Sequence, residues 1–339
     1  MPAVIKIITM NNIHPTSTIA LLIANFQKLG YACDSFYLSN IPMTMFTAPS
    51  GEVWLTHNNR INYPLTSSTA RVVSRNKDVA YAFADKLGAT TPVTLSINRV
   101  NDNKIKLRGM LTHAPLVVKP NTASLSHGLT LNVKTLAGLD TAILKAAEFD
   151  ETILIQQQIE GEELRFVVLG NKVKAVLMRQ SPQVIGDGEQ TIEQLIVSEN
   201  QKRSQLVMDY VTYPQLDDKM IDAAIDLKAV PASSVVVKLG RGTMIASGAS
   251  IYNVLAETHY SYSSLAAQLG SSLGNGFVVV DLFVADHTQP MTSDNYAFIE
   301  FNMSPVLKLF YSCRYGHNYD VLADLVPMID QAITRSSHE

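Results

Sequence analysis

A carboxylate stands inside a run that is otherwise hydrocarbon: Phe277-Val278-Val279-Val280-Asp281-Leu282-Phe283. The β-branched and aromatic side chains around it read as a buried strand. A lone carboxylate is strongly disfavoured there, so the fold must bring it a cation or a network of donors. A second acid follows in Phe298-Ile299-Glu300-Phe301-Asn302, where Glu300 and Asn302 are two apart and share a strand face. Asp281, Glu300 and Asn302 form a hard, all-oxygen set suited to magnesium, and magnesium at such a site usually accompanies a nucleoside triphosphate. The alternative is a strand acid satisfied by a neighbouring Arg or Lys.

At 339 residues the chain can bury a large core, in two or three packed units. Its net charge of −3 gives no electrostatic footprint for nucleic acid. A small anion needs only a local cluster of positive charge. Cys33 and Cys313 are too few for a disulfide framework or a thiolate metal site. No apolar run is long enough to span a membrane. The first ten residues resemble a buried strand more than a signal peptide, so a cytoplasmic protein is expected.

Val4–Thr9 reads as a strand, Thr16 to Leu29 as a helix closed by Gly30, and Ala32–Leu38 as a second strand. Together they look like a βαβ start. Glu52–Thr56 is a further short strand. Ser74 or Asn76 can cap a helix that Gly88 ends. From Leu116 strands alternate: Leu116–Lys119, Thr130–Val133, Thr152–Gln158, Arg165–Leu169 and Val173–Arg179. Gly170-Asn171 reads as a hairpin turn between the last two. Asp140 is expected to cap a helix reaching Phe149. Thr191-Ile192-Glu193-Gln194 reads as a capping box. Helices are also expected near Tyr262–Leu273 and Asp320–Thr334, while residues 204–235 follow no clear pattern.

Two further segments carry chemistry. Pro115-Leu116-Val117-Val118-Lys119-Pro120 is a buried-looking strand delivering one cation at its tip. The loop Asn121-Thr122-Ala123-Ser124-Leu125-Ser126-His127-Gly128 then offers hydroxyls and backbone N–H groups to phosphate oxygens. Farther on, the apolar strand Ile153-Leu154-Ile155 turns polar at Gln156, crosses Ile159-Glu160-Gly161 and re-enters an apolar strand carrying Glu163 and Arg165. A strand edge there, with free backbone groups, can read an adenine. An ordinary exposed hairpin has the same appearance.

The order of these pieces resembles the ATP-grasp superfamily, above all the ATP-grasp module of bifunctional glutamate–cysteine ligase/glutathione synthetases, and next cyanophycin synthetase. The matching strings are Asn76-Lys77, Val117-Val118-Lys119-Pro120 with Gly128-Leu129-Thr130, and Glu160-Gly161-Glu162-Glu163-Leu164-Arg165-Phe166. Val184-Ile185-Gly186-Asp187-Gly188 with Thr191-Ile192, Ala246-Ser247-Gly248-Ala249, Asp281 and Glu300-Phe301-Asn302 complete them. The resemblance covers roughly residues 66 to 330. It implies an α/β (α+β lobed) ATP-grasp fold at 76–335, behind a small N-terminal αβ domain at 1–75. A smaller nucleotide lobe would fall at about 90–160 and a metal-binding lobe at about 161–335.

The resemblance also implies roles. Lys77 and Lys119 would hold the α- and β-phosphates of ATP, and the 121–128 loop, with Ser124, Ser126 and Gly128, would close over the γ-phosphate. Gln156 and the backbone through Ile159 would meet adenine, and Glu163 the ribose. Asp281, Glu300 and Asn302 would bind two magnesium ions, manganese being an admissible substitute. Arg165, Arg179 and Arg241 would lie near the transferred phosphoryl group, and Arg314 would grip a substrate carboxylate. The implied activity is ATP-dependent ligation of a carboxylate to an amine on an amino acid or small peptide, through an acyl phosphate. A kinase on the same scaffold and a non-catalytic ATP-binding module are the alternatives. Nucleic-acid and membrane partners are not expected, and the resemblance admits a homodimer.

The chain departs from the pattern at Ala123, Leu125 and His127, at Met244-Ile245-Ala246-Ser247-Gly248-Ala249, and at Gln156, which replaces an acid. Outside the resemblance, His14-Pro15-Thr16 reads as ordinary helix capping. His113, His127, His259 and His317 show no ligand spacing. Both cysteines read as structural, and Asp217-Asp218-Lys219 and Glu199–Arg203 as a solvated charged face.

Overall fold

The structure, a computed structural model, describes residues 7–9, 12–98, 104–123, 127–206, 208–274 and 276–335. The chain forms two compact units. One is made of Met1–Leu65, Lys174–Glu257 and Ser304–Glu339, the other of Thr66–Val173 and Thr258–Met303.

The first unit opens with β1 (Ile7–Thr9), α1 (Thr18–Lys28), β2 (Ala32–Leu38), β3 (Ile41–Thr47) and β4 (Val53–His57). The second takes up α2 (Ser68–Arg75), α3 (Lys77–Lys86), β5 (Thr94–Asn98), α4 (Lys104–Met110), β6 (Leu116–Pro120) and β7 (Thr130–Val133). It continues through α5 (Leu136–Ala146), β8 (Thr152–Gln157) and β9 (Glu162–Leu169). β10 (Lys172–Gln180) leads into the first unit again, with β11 (Gln183–Ile185), α6 (Ile192–Ser204), β12 (Val236–Lys238) and β13 (Ser250–Asn253). α7 (Tyr260–Ser272), β14 (Phe277–Val284) and β15 (Tyr296–Asn302) return to the second, and α8 (Val321–Arg335) ends in the first.

In the first unit β1 to β4 form an antiparallel sheet in sequence order. This corrects the expected βαβ start: β1 and β2 are antiparallel, with Ile7 opposite Leu38. Apolar patterning reports which residues are buried and carries no information on strand direction. β3, absent from the sequence reading, follows a two-residue hairpin turn whose Ser39 and Asn40 both take positive φ, 48° and 69°. Ser17 caps α1 by accepting from the Ala20 amide, and α1 buries Leu22 and Phe26 completely. The Phe26 ring meets Phe46 and Trp54 with centroids 5.2 and 5.9 Å apart.

In the second unit one sheet has the order β5-β8-β6-β7. Leu116, Val118, Ile153 and Ile155 from its inner strands bury against Leu139, Ala142 and Ala146 of α5. Thr135 caps α5 through the Gly138 amide, so Asp140 lies within the helix and Phe149 beyond it. The expected cap at Asp140 is therefore displaced by a hydroxyl that reaches the same kind of orphan N–H one turn earlier. The other group of strands in this unit places β14 between β9 and β15, with α7 packed on β9 and β14 and α3 on β15. The capping box at the start of α6 forms as read, with Thr191 and Gln194 bonding reciprocally.

Candidate functional site

The antiparallel register of β14 decides what Asp281 meets. Asp281 stands opposite Arg165 on β9 and opposite Glu300 on β15. Directly opposed residues share a face, so Arg165, Asp281 and Glu300 form one row across three strands. Val279 stands opposite Asn302, two positions along on the same face. Between Asp281 and Leu282 the partner on β15 moves from Glu300 to Phe298, which makes Ile299 the extra residue of a β-bulge. Bulges re-aim side chains beside functional sites. Here Glu300 stays level with Asp281.

Asp281 is 1 % exposed. Arg165 supplies its counter-charge, with Nη2 at 3.2 Å from Oδ2. The same guanidinium donates from Nε and Nη2 to Glu163 Oε1, both at 3.1 Å. Burial acts to lower the Arg165 guanidinium, but the charges of Asp281, Glu163 and Glu300 outweigh it and hold it above its ordinary value. The strand acid thus has the arginine neighbour that its sequence left as one of two options. The row carries two carboxylates against one guanidinium, and Glu163, two residues before Arg165 on β9, adds a third.

A cationic group adjoins it. Lys77 opens α3, and its Nζ donates to the Ala123 carbonyl at 2.7 Å and to the Asn121 carbonyl at 3.4 Å. Lys119, on β6, donates to Tyr81 Oη at 2.8 Å. Asn76 caps α3 without a side-chain bond. The buried Asn121 does that work instead, accepting from the Asp78 amide at 3.0 Å and donating to Asp78 Oδ1 at 2.8 Å. Burial depresses the Lys77 ammonium, the charge of Glu300 opposes that shift, and the charge of Lys119 adds to it. The two lysines and Glu300 therefore share one electrostatic neighbourhood.

Asp150 fixes the base of the following loop by accepting from the Thr122 amide at 2.8 Å and from its hydroxyl at 2.7 Å. Gly128 ends that loop at φ +71, where a Cβ would stand 2.7 Å from Pro120 Cγ. Ser124 and Ser126 lie outside the described residues. Gln156 is 4 % exposed and donates to Thr94 Oγ1 at 2.9 Å. The expectation of a strand edge there is not met: β8 lies between β5 and β6, and the amides of Gln157 and Gln158 donate to the Val93 and Pro115 carbonyls. Periodicity marks a strand but cannot number its neighbours. Ile159 follows β8, and Gly161 turns the chain at φ +144, where a Cβ would lie 2.6 Å from the Val284 carbonyl oxygen.

Arg179 and Arg241 belong to the first unit; Arg179 pairs with Ile251 across β10 and β13, and Arg241 is exposed. The Glu199–Arg203 segment is not the solvated face expected of it. The Arg203 side chain is 1 % and that of Glu199 15 % exposed, because α6 turns them onto Tyr213, Ser250 and Arg314. Tyr81 and Thr94, which hold the site residues in place, were missed, and Asn121 was read as part of the phosphate loop and not as the partner of Asp78. Only the hydrogen bonds of the fold single them out.

Asp281, Glu300 and Asn302 supply the hard oxygen donors that magnesium takes, two carboxylates and an amide in adjacent register. Among the described residues no group of three or more His, Cys, Asp or Glu is placed to hold a metal. Burial pushes the Cys33 thiol up to about 11 and the Cys313 thiol up to about 12, which suits structural roles. No helix among the described residues is long and apolar enough to cross a membrane.

Among solved structures, the crystal structure of a bifunctional glutathione synthetase from Pasteurella multocida superposes with a TM-score of 0.62, covering 92% of this chain and 43% of that one at 19% identity. The fold is that of the ATP-grasp ligases. A family model described as the D-ala D-ala ligase C-terminus matches residues 95–214. The glutathione biosynthesis bifunctional protein GshAB of Streptococcus agalactiae is 28% identical over 298 residues, which is 80% of this chain and 39% of that protein. The protein of the same name from Streptococcus mutans is 25% identical over 305 residues, 82% of this chain and 40% of its own length. The chain thus spans about two fifths of the length of the curated relatives it matches.

Proposed function

We propose that the chain joins a carboxylate to an amine at the expense of ATP, through an acyl phosphate, on an amino acid or small peptide. The observation that carries this is the row in which Asp281 stands in register between Arg165 and Glu300, with Lys77 in electrostatic reach of both Glu300 and Lys119. Lys77 and Lys119 hold the α- and β-phosphates, Glu163 accepts from the ribose, and Gln156 with the backbone near Ile159 borders the adenine. Asp281, Glu300 and Asn302 would hold two magnesium ions, which would offset the repulsion between a phosphate and a carboxylate brought together. Arg165, already beside Asp281, adds a positive charge next to the transferred group. Roles for Arg179 and Arg241, and the division into a nucleotide lobe at about 90–160 and a metal-binding lobe at about 161–335, rest on the resemblance alone.

The test is phosphate release from ATP and magnesium over amino acids and dipeptides supplied in pairs, with product masses read afterwards. Release that requires both an acid and an amine, with a product lighter by one water than the pair, supports the ligase. A phosphorylated product formed without an amine would make the chain a kinase. ATP binding with no turnover over the whole panel would make it a binding module.

A further inference from the structure

The turn between β8 and β9 leaves two neighbouring amides free. Among the described residues the N–H groups of Ile159 and Glu160 donate to no protein atom, although Ile159 is half-buried. Backbone donors left open in this way are groups that a ligand can use. The turn is nonetheless tied down, and on both sides.

On one side stands Gln158. Its amide donates to the Pro115 carbonyl at 2.9 Å, and its Oε1 accepts from the Asn132 amide at 2.7 Å. β7 and β8 are not neighbours, since β6 lies between them, so this bond reaches across the end of β6. A bulge makes the reach possible. Thr130 pairs with Val118 and Val133 with Leu116, which leaves Leu131 and Asn132 opposite Val117 alone. Asn132 takes φ 59, a conformation that asparagine tolerates better than most residues.

On the other side, Glu162 opens β9 opposite Val284, and its Oε2 lies 2.7 Å from His287 Nδ1. A carboxylate only accepts, so Nδ1 carries the proton of this pair. The corner that bears His287 is itself fixed. Asp286 Oδ1 accepts from the Thr288 amide and hydroxyl at 2.9 and 2.7 Å, and the His287 carbonyl accepts from the His259 amide at 2.7 Å. The same corner joins β14, which carries Asp281, to β15, which carries Glu300 and Asn302. All of these residues belong to the second unit.

We propose that Gln158 and His287 are positioning residues for base recognition. From opposite sides they hold the 159–160 backbone where it reads adenine and rejects guanine. The inference rests on the adenine placement proposed above, and both residues act through the turn rather than on the reacting atoms. Adenine presents a donor at N6 where guanine presents an acceptor at O6. A backbone group fixed against that edge therefore matches one base only, and the wrong base leaves polar groups unpaired. A turn free to shift would find partners on either base.

Titration calorimetry on the whole chain with magnesium, using ADP and GDP as probes, tests this. The unaltered chain should bind ADP more tightly than GDP by about tenfold or more. Gln158→Leu and His287→Ala should each weaken ADP by about tenfold and leave GDP within about twofold, so that the preference collapses while the melting temperature holds. His287→Asn, whose Nδ2 takes the place of Nδ1, and Gln158→Glu, which keeps the acceptor, should restore most of the preference. Equal binding of the two nucleotides by the unaltered chain would overturn the proposal. So would truncations that keep the preference or that weaken both nucleotides alike, and so would His287→Asn behaving as His287→Ala. Should a truncation not fold, Glu162→Ala decides, because it cuts the His287 tie from its more exposed side, 37 % against 12 %. A preference for ADP without any ligation sinks the ligase reading alone, and ligation with a preference that the truncations do not move sinks this inference alone. An unaltered chain that binds neither nucleotide overturns both.

Discussion

Two ion-paired clusters among the described residues are unbalanced in opposite directions. In the second unit Glu163 and Asp281 share one guanidinium, Arg165. In the first unit Arg203 and Arg314 face one carboxylate, Glu199. Both are tied by short ion pairs, so neither is explained by the cost of burying a lone charge. What distinguishes them is the sign of what is left over. The first cluster has room for added cations, and its donors are the hard oxygens of Asp281, Glu300 and Asn302. The second has room for an added anion. Burial makes such a residual charge costly, and a ligand of opposite sign removes that cost.

The contrast can be broken experimentally. Arg165→Met removes the guanidinium that faces the buried Asp281 and should cost about 3–5 kcal/mol by denaturant unfolding. Magnesium should restore part of that loss, and so should Asp281→Asn in the same chain. Glu199→Gln, which strands two guanidinia, should be destabilising as well but should gain nothing from magnesium. Equal response of the two variants to the ion would erase the distinction.

Glu300→Gln should lower turnover by roughly 10²–10³-fold, the size expected when a charged contact to a transferring group is lost. Its melting curve should stay close to that of the unaltered chain. Full turnover in this variant would remove Glu300 from the reaction.

Acid should reveal the first-unit cluster. Burial acts to raise the Glu199 carboxyl, but its bonds to Arg314 and Arg203 prevail and hold it below its ordinary 4.5. The unfolded chain therefore binds this proton first. The stability Glu199 contributes is present above about 4.5 and is lost as pH falls through its folded value. Glu199→Gln, weaker at neutral pH, should show a flatter decline in acid, read as melting temperature against pH.

Lys77 gives the smallest effect, with a slope of the same sign in an alkaline window. Burial lowers its ammonium below 10.5, so its charged form is a burden in the fold, one that eases as pH rises from the folded value towards 10.5. Lys77→Met should lose ATP affinity while gaining stability near neutral pH. That gain should shrink in alkali. Loss of stability at every pH would mean that the bonds to Ala123 and Asn121 outweigh the cost of burial.

Much of the site was legible because its parts are local. The spacing of Glu300 and Asn302 puts both on one strand face, and β-branched neighbours announce the strand around Asp281. The capping box at Thr191 was readable for the same reason, since both of its bonds close within one turn. The partners of Thr135, Asn121 and Tyr81 were not legible. A hydroxyl or amide is an equally good donor or acceptor in solvent, and only tertiary placement makes it the partner of Gly138, Asp78 or Lys119.

The sequence by itself determined that an acid would be buried at position 281 and that its surroundings had to supply positive charge, because no fold escapes the desolvation of a carboxylate. It also determined which residues share a face, since side-chain alternation along a strand is a property of the backbone. The tertiary structure decided the rest. The register of β9, β14 and β15, with a bulge at Ile299, chose Arg165 and Glu300 as the neighbours of Asp281. The antiparallel pairing of β1 with β2 and the burial of Glu199 were decided the same way. Strand direction, register and long-range ion pairing depend on residues far apart in the chain, and no local pattern encodes which of them will meet.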